Sequence, residues 1–213
     1  IIGKEIKDKE QIFTEYNQSL EQAAQAVTQG TMTHKQFRDR QSRLAQQRSD
    51  LLDSIEKRYP EGKSRELDPR EIEYKKYISL FDQQDPVTGQ IDFDAAEEYL
   101  LSLDPSLQKY IEEKQRAGME QLPESAKQLM QELYQDRRKA RPYWDVWRET
   151  MQKYDLYDIW RRMNGPQQEL MKETPQYKRV SSFTRQAKQK LRRQRPDIDA
   201  VLNKWGYVSA PVK

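Results

Sequence analysis

Eight cationic side chains and no acidic one lie between residues 177 and 195. Val180, Phe183, Ala187 and Leu191 recur within this stretch at the spacing of one helical face. The pattern predicts a basic amphipathic helix over 177–195, the one segment whose chemistry points to a partner. Its candidate partner-binding or phosphate-binding residues are Lys178, Arg179, Arg185, Lys188, Lys190, Arg192, Arg193 and Arg195.

Three interpretations of this helix stay open. Its cations could be solvated or paired within the chain, they could bind an acidic protein surface, or they could bind the phosphates of a nucleic acid. Phe183 is the only aromatic residue among them beyond Tyr177, which gives bases little to stack on. A membrane surface is a weaker fit, because the apolar side is narrow and has no tryptophan.

Residues for catalysis are scarce. There is no cysteine, and His34 is the only histidine, so thiolate chemistry and histidine pairs are excluded. The adjacent carboxylates Glu97-Glu98 and Glu112-Glu113 point to different sides of a helix and are expected to be solvated. We therefore predict no catalytic residue, no metal ligand and no cofactor, and a chain that is not an enzyme.

The stretch 82–92 superficially resembles a calcium-binding loop between two helices. Aligning Gly89 with the invariant glycine of such loops places Ala95 where a bidentate glutamate is needed. We therefore interpret the stretch as a turn, followed by Asp94 as the cap of the next helix.

Aromatic residues concentrate between residues 143 and 163. Trp144, Trp147 and Met151 follow helical spacing, and so do Ile159, Trp160 and Met163. This spacing favours a packed aromatic core. The alternative is a platform for single-stranded nucleic acid, since Arg141, Arg148, Arg161 and Arg162 are interleaved with the rings.

The first sixty residues predict an antiparallel helical hairpin that can self-associate. Gly30 ends the first helix, and Thr33 with Gln36 has the capping-box pattern that begins the second. Near-heptad spacing predicts that the packing seam consists of Ile6, Phe13, Leu20, Val27, Phe37, Leu44 and Leu51.

Residues 61–68 are polar and predict a linker, followed by a helical domain over 69–213. Asp-Pro pairs at 68–69 and 104–105, and Leu122-Pro123, predict helix starts, whereas Arg141-Pro142 predicts a helix break. We expect a polar connection after Asn164-Gly165-Pro166 and a short last helix over 196–206. The predicted fold class is all-α, an elongated multi-helix array.

Charge and hydropathy set further limits. Residues 1–100 hold 15 basic and 20 acidic side chains, and residues 101–213 hold 23 and 15. No apolar run reaches the roughly 18 residues that a membrane span needs. The chain begins at Ile1 rather than methionine, which indicates a part of a longer protein.

Two short resemblances bear on function. Residues 26–37, Ala-Val-Thr-Gln-Gly-Thr-Met-Thr-His-Lys-Gln-Phe, resemble a helix, Gly-x-(Ile/Met)-Thr, helix module found in bacterial and phage proteins as an oligomerisation or linker element, with Gln36 where an acidic residue is usual. Residues 183–207, a basic helix followed by Pro-Asp-Ile-Asp-Ala-Val-Leu-Asn-Lys-Trp-Gly-Tyr, resemble helical segments of large virion-associated proteins of phages and mobile elements.

The first resemblance favours an interaction role. The second, over residues 183–207, implies a structural segment of a larger phage-type protein, located in a virion or the host cytoplasm, which acts through protein–protein contacts. The alternatives are a nucleic-acid-binding module that uses helix 177–195, and a helical accessory domain of an enzyme whose catalytic part lies outside this sequence.

Overall fold

The computed structural model describes residues 2–58, 68–80 and 93–207, and these ranges contain helices and no strand. The all-α prediction is confirmed. The helices are α1 (Ile2–Thr28), α2 (His34–Arg58), α3 (Pro69–Ser79), α4 (Phe93–Ser102), α5 (Pro105–Glu120), α6 (Glu124–Lys153), α7 (Tyr157–Arg162), α8 (Gly165–Lys172), α9 (Pro175–Gln194) and α10 (Pro196–Lys204).

These helices form two compact units. Unit 1 comprises Ile1–Phe93 and Lys109–Leu133, and unit 2 comprises Asp94–Gln108 and Tyr134–Lys213. This division does not follow the predicted one, in which a linker at 61–68 separated two domains. The difference arises because α3 packs with α5: the Tyr110 hydroxyl donates to Glu71 at 2.7 Å, and Gln115 donates to the Tyr77 hydroxyl at 3.3 Å.

The turn between α1 and α2 has the predicted chemistry. Gly30 adopts a φ of 73°, a left-handed conformation that glycine tolerates best. Thr33 and Gln36 then form a reciprocal capping box. The backbone N–H of Thr33 donates to Gln36 Oε1 at 2.9 Å, and the backbone N–H of Gln36 donates to Thr33 Oγ1 at 3.2 Å. Arg48 of α2 lies over the rings of Tyr16 and Phe13 of α1, a contact expected of two helices that fold back about this turn.

The predicted seam of α1 and α2 is only partly buried. Leu20 and Phe37 are fully buried, and Val27 and Leu44 are half-buried. Phe13 and Leu51 are 38% and 46% exposed, so their assignment to an internal seam was wrong. Tyr16, Ala23, Ala24 and Ile55 are buried as well, so each helix buries a face that is broader than one seven-residue stripe. The side chain of Ile6 lies outside the described residues.

Asp68 caps α3 by accepting the N–H of Arg70 at 2.9 Å, as the Asp-Pro pattern predicted. Residues 61–67 of the predicted linker and the loop 82–92 lie outside the described residues. Asp94, in contrast, is not a cap. It lies inside the first turn of α4, and its carboxylate accepts a hydrogen bond from Trp144.

The predicted break at Arg141-Pro142 is wrong, since α6 continues through Pro142 to Lys153. Proline removes the hydrogen bond to the carbonyl four residues earlier, that of Arg138. Both Pro142 and Arg138 are exposed, so water can solvate that carbonyl. Burial of Tyr143, Trp144 and Trp147 directly after the proline compensates for the lost bond.

Unit 2 contains the predicted aromatic core. Trp144, Trp147 and Trp160 are between 1% and 8% exposed, which confirms their predicted burial. The cluster around Trp147 is built from Trp147, Met151, Leu156, Tyr157, Trp160, Met171 and Val180. The predicted polar connection after residue 166 is wrong: it forms α8, where Asn164 and Gln167 make a capping box that the sequence contains as Asn-x-x-Gln.

The last helix, α10, is anchored in unit 2 by its apolar face. Ile198, Leu202 and Trp205 are fully buried, and Gly206 ends the helix with a φ of 71°. The carboxylate of Asp136 accepts from Trp205 Nε1 at 2.8 Å and from Lys204 Nζ at 2.9 Å. Burial disfavours the charged form of Asp136, but these donors outweigh it and lower the pKa of this carboxyl.

Candidate functional site

The basic segment forms α9, and its ends are set by local sequence. The Thr174 hydroxyl accepts the N–H of Tyr177 at 3.2 Å, and Pro175 occupies the first helical position. The predicted helix at 177–195 is thus confirmed, with a start two residues earlier. Val180, Thr184 and Lys188, spaced four apart, are its buried residues. A lysine therefore lies on the inward face.

Lys188 is ion-paired within unit 2 rather than presented to solvent. Its Nζ lies 2.6 Å from Glu98 Oε1 and 3.6 Å from Asp94 Oδ2, and 4.7 Å from the centre of the Tyr143 ring. Asp94 and Glu98 are one turn apart on α4, so both carboxylates reach the same ammonium group. Burial disfavours the charged amine, but the two carboxylates outweigh it and raise the pKa of Lys188.

Asp94 is fixed by two further donors from α6. Trp144 Nε1 donates to one carboxylate oxygen at 2.9 Å, and the Tyr143 hydroxyl donates to the other at 3.3 Å. The charged groups of Asp94 and Lys188 can lie beside the aromatic core because each has hydrogen-bonding or ion-pair partners there. It connects α4, α6 and α9 within unit 2.

Arg192 and Arg195 are also engaged, at the junction with α10. Arg192 forms an ion pair with Asp199, and its guanidinium donates to Asn203 Oδ1 at 2.6 Å. Arg195 forms a bidentate pair with Asp197, which lowers the pKa of that carboxyl to about 2. Both interactions tie α9 to α10.

The remaining five predicted cations are exposed. Lys178 forms an ion pair with Glu173 at 2.7 Å. The other four have no carboxylate partner within the ranges that the structure describes, and they are Arg179, Arg185, Lys190 and Arg193. We call these four residues the α9 basic face. The eight predicted residues thus divide into four that are ion-paired and four that have no carboxylate partner among the described residues.

The aromatic residues next to α9 are used for packing. Tyr177 stacks on Trp160 with ring centres 5.2 Å apart, and Phe183 stacks on Tyr154 at 5.3 Å. Burial, reinforced by Glu98, raises the pKa of Tyr177 to about 12. The described part of the chain therefore shows no row of open rings beside the basic face.

Two of the arginines interleaved with the aromatic residues also have local partners. Arg148 pairs with Asp145 at 2.9 Å, and Arg161 pairs with Asp104 at 2.5 Å. Arg141 and Arg162 are exposed.

The expectation that Glu97 and Glu98 are solvated was wrong. Glu97 is 7% exposed and pairs with Arg137 at 2.6 Å, while Glu98 pairs with Lys188. The two carboxylates do point to different sides of α4, but each side meets a cationic helix. Glu113 is exposed and lies 3.8 Å from Lys109. His34 lies 3.8 Å from Glu132 at the start of α2.

Among the residues that the structure describes, no group of three or more histidine, aspartate or glutamate side chains is placed to hold a metal ion. No helix in the same ranges is long and apolar enough to cross a membrane. The comparisons with known proteins give no matching family model, no matching curated protein and no matching solved structure.

Proposed function

We propose that this chain is a non-enzymatic helical interaction module, whose α9 basic face binds an acidic surface on a partner protein. The observation that carries the proposal is the division of the α9 cations. Lys188, Arg192 and Arg195 have carboxylate partners, whereas the four residues of the basic face have none among the described residues.

The arrangement favours binding through charge on a preformed surface. α9 is capped at its start and anchored by Val180, Thr184 and Lys188, so its exposed face is held in one orientation within unit 2. Arginine is well suited to such a surface, because its planar guanidinium makes two parallel hydrogen bonds to a carboxylate. Three of the four residues of the face are arginines.

A protein partner fits better than a nucleic acid. Non-specific sites for single strands combine cations with aromatic rings on which bases stack. Here Tyr177, Phe183, Trp147 and Trp160 are engaged in ring contacts inside unit 2. The proposal that the chain belongs to a phage-type virion-associated protein is supported only by the resemblance of residues 183–207 to such segments.

The test uses fluorescently labelled poly-L-glutamate as the acidic probe, titrated with the full chain in about 50 mM salt, where surface charges are weakly screened. In the test variant, Arg179, Arg185, Lys190 and Arg193 are all replaced by glutamine. The matched control replaces four exposed arginines elsewhere, Arg116, Arg138, Arg141 and Arg162, and so has the same net charge.

We expect the α9 variant to bind the probe at least about tenfold more weakly than the wild type, a change of about 1.4 kcal/mol. The control should lose less than about threefold. Equal losses in both variants would mean that net charge, and not this surface, determines binding, and the proposal would be wrong.

A further inference from the structure

The exposed face of α1 is acidic from residue 10 to the end of the helix. It faces away from the buried Tyr16, Leu20 and Ala23, and it has three glutamates and no basic side chain. The glutamates are exposed, and none forms an ion pair with another described residue. We call these three residues, Glu10, Glu15 and Glu21, the α1 acidic face. It is an acidic protein surface of the kind that the α9 basic face is proposed to bind.

The charges on α1 and α9 have matching spacing. Glu10 and Glu21 are eleven residues apart, and so are Arg179 and Lys190. Eleven residues make about three helical turns and span about 16 Å, so each pair lies along one line of its helix. The two lines are therefore equal in length and opposite in charge.

The third charge on each helix favours one relative direction of the two helices. At about 100° per residue, Glu15 lies about 140° to one side of the line through Glu10. Arg185 lies about 120° to the other side of the line through Arg179. In a parallel helix pair, opposite sides of the two helices meet across the interface, as the e and g positions of parallel coiled coils do. Aligning the two lines in parallel therefore brings Glu15 to the same side as Arg185 and within one residue of its level.

The side chains between these charges are polar and can form hydrogen bonds across an interface. On α1, Thr14, Gln18 and Gln25 are exposed between the glutamates. On α9, Ser182 and Gln186 are exposed between the cations. Hydroxyl and amide groups both donate and accept hydrogen bonds. Because no large apolar side chain lies between the charges, the association depends on charge and is weakened by salt.

We infer that the α9 basic face of one copy of the chain binds the α1 acidic face of a second copy, with the two helices parallel. The inference rests on the proposed function, for which it names the partner. Each copy contributes α9 to one neighbour and α1 to the other, which makes the interface heterologous. Association therefore continues beyond a dimer, to a ring or an open filament.

The test is sedimentation velocity of the full chain at increasing concentration in about 50 mM salt, where exposed charges are weakly screened. In the acid variant, all three glutamates of the α1 acidic face become glutamine. In the base variant, Arg179, Arg185 and Lys190 become glutamine. The control variant has the same net charge as the acid variant, and in it three exposed glutamates outside α1 become glutamine, Glu56, Glu120 and Glu149.

We expect the wild type and the control to form species larger than dimers as the concentration rises. The acid and base variants should each associate at least about tenfold more weakly. An equimolar mixture of these two should form a 1:1 dimer and nothing larger, because the mixture retains one complete interface. A wild type that stays monomeric at about millimolar concentration, the weak end of measurable affinity, would overturn the inference. So would a control that weakens as much as the acid variant, or a mixture that forms no dimer or grows beyond it.

A charge exchange tests the parallel arrangement. Glu21→Lys alone should weaken the association, and adding Lys190→Glu in the same chain should restore it, because residues 21 and 190 meet in the parallel register. In an antiparallel pair residue 21 would meet Arg179 instead. Failure of the double variant to recover would therefore overturn the parallel arrangement.

The acid variant separates this inference from the proposed function. It retains the whole α9 basic face, so its binding to labelled poly-L-glutamate reports that face alone. If the wild type stays monomeric while the acid variant binds the probe as tightly as the wild type, the self-association is wrong and the proposed function stands. If replacing the α9 basic face weakens probe binding no more than its control does, the proposed function is wrong, and the inference with it.

Discussion

Replacing Lys188 by methionine should destabilise unit 2, because it leaves two carboxylates facing an aromatic core without their cation. Methionine keeps most of the side-chain volume and removes only the ammonium group. Removing one partner of a buried ion pair costs roughly 3–5 kcal/mol. The side chains of Glu98 and Asp94 are 22% and 31% exposed, so water can partly solvate both carboxylates. Asp94 also still accepts hydrogen bonds from Trp144 and Tyr143 in the variant. We therefore expect a loss of about 2–3 kcal/mol in the free energy of unfolding, below the full range.

The assay is urea unfolding followed by tryptophan fluorescence. All four tryptophans, at positions 144, 147, 160 and 205, belong to unit 2, so the signal reports that unit alone. With an m value of about 1.5 kcal/mol/M, the expected loss lowers the midpoint by about 1–2 M. Lys190→Met, an exposed change of the same kind on the same helix, should shift the free energy by less than about 0.5 kcal/mol. If the two variants unfold alike, the ion pair of Lys188 contributes nothing and the reasoning fails.

Three further predictions concern unit 2. Trp147→Ala should lower the free energy of unfolding by roughly 3–5 kcal/mol, since a buried indole is lost; an unchanged urea midpoint would contradict its burial. Pro142→Ala should raise stability by about 1–3 kcal/mol by restoring a hydrogen bond inside α6, and an unaltered or lower midpoint would argue for a break there. Asp136 has a lowered pKa, so its stabilising effect is present above the ordinary value of 3.8 and is lost as the pH falls through the folded-state pKa. Asp136→Asn should therefore differ from the wild type in urea midpoint at pH 7 and converge with it once the pH falls below the folded-state pKa of Asp136; a constant difference would contradict the pairing.

Local signals made much of the helical organisation predictable. Gly30, Thr33 with Gln36, and Asp68 act through neighbours within four residues, so their roles can be read directly from the sequence. The burial of Trp144 and Trp160 followed from helical spacing. Pro142 predicted a helix break that does not occur, because α6 is held together by the packing of residues distant in the chain, and the local sequence pattern does not contain that information.

The division of the α9 cations could not be predicted in full. Lys188 lies on the same face as Val180 and Thr184, and this spacing was a signal that one lysine would be buried. Its partners Asp94 and Glu98 are about ninety residues away in the chain, and no sequence pattern connects them to α9. Likewise, Phe13 and Leu51 fit the seven-residue repeat, yet the buried face of each helix is set by the neighbours that it meets.

The central claim, that the α9 basic face serves a protein partner, is tested most directly by its affinity for single-stranded DNA as a function of salt. A phosphate-binding site would show a log–log slope of roughly −0.7 per contact for a single strand. We expect only weak binding of the full chain, which disappears near about 150 mM salt, because the adjacent rings are engaged in packing. Submicromolar binding that persists at that salt concentration, and is lost when Arg179, Arg185, Lys190 and Arg193 are replaced by glutamine, would contradict the proposal and identify a nucleic-acid interface.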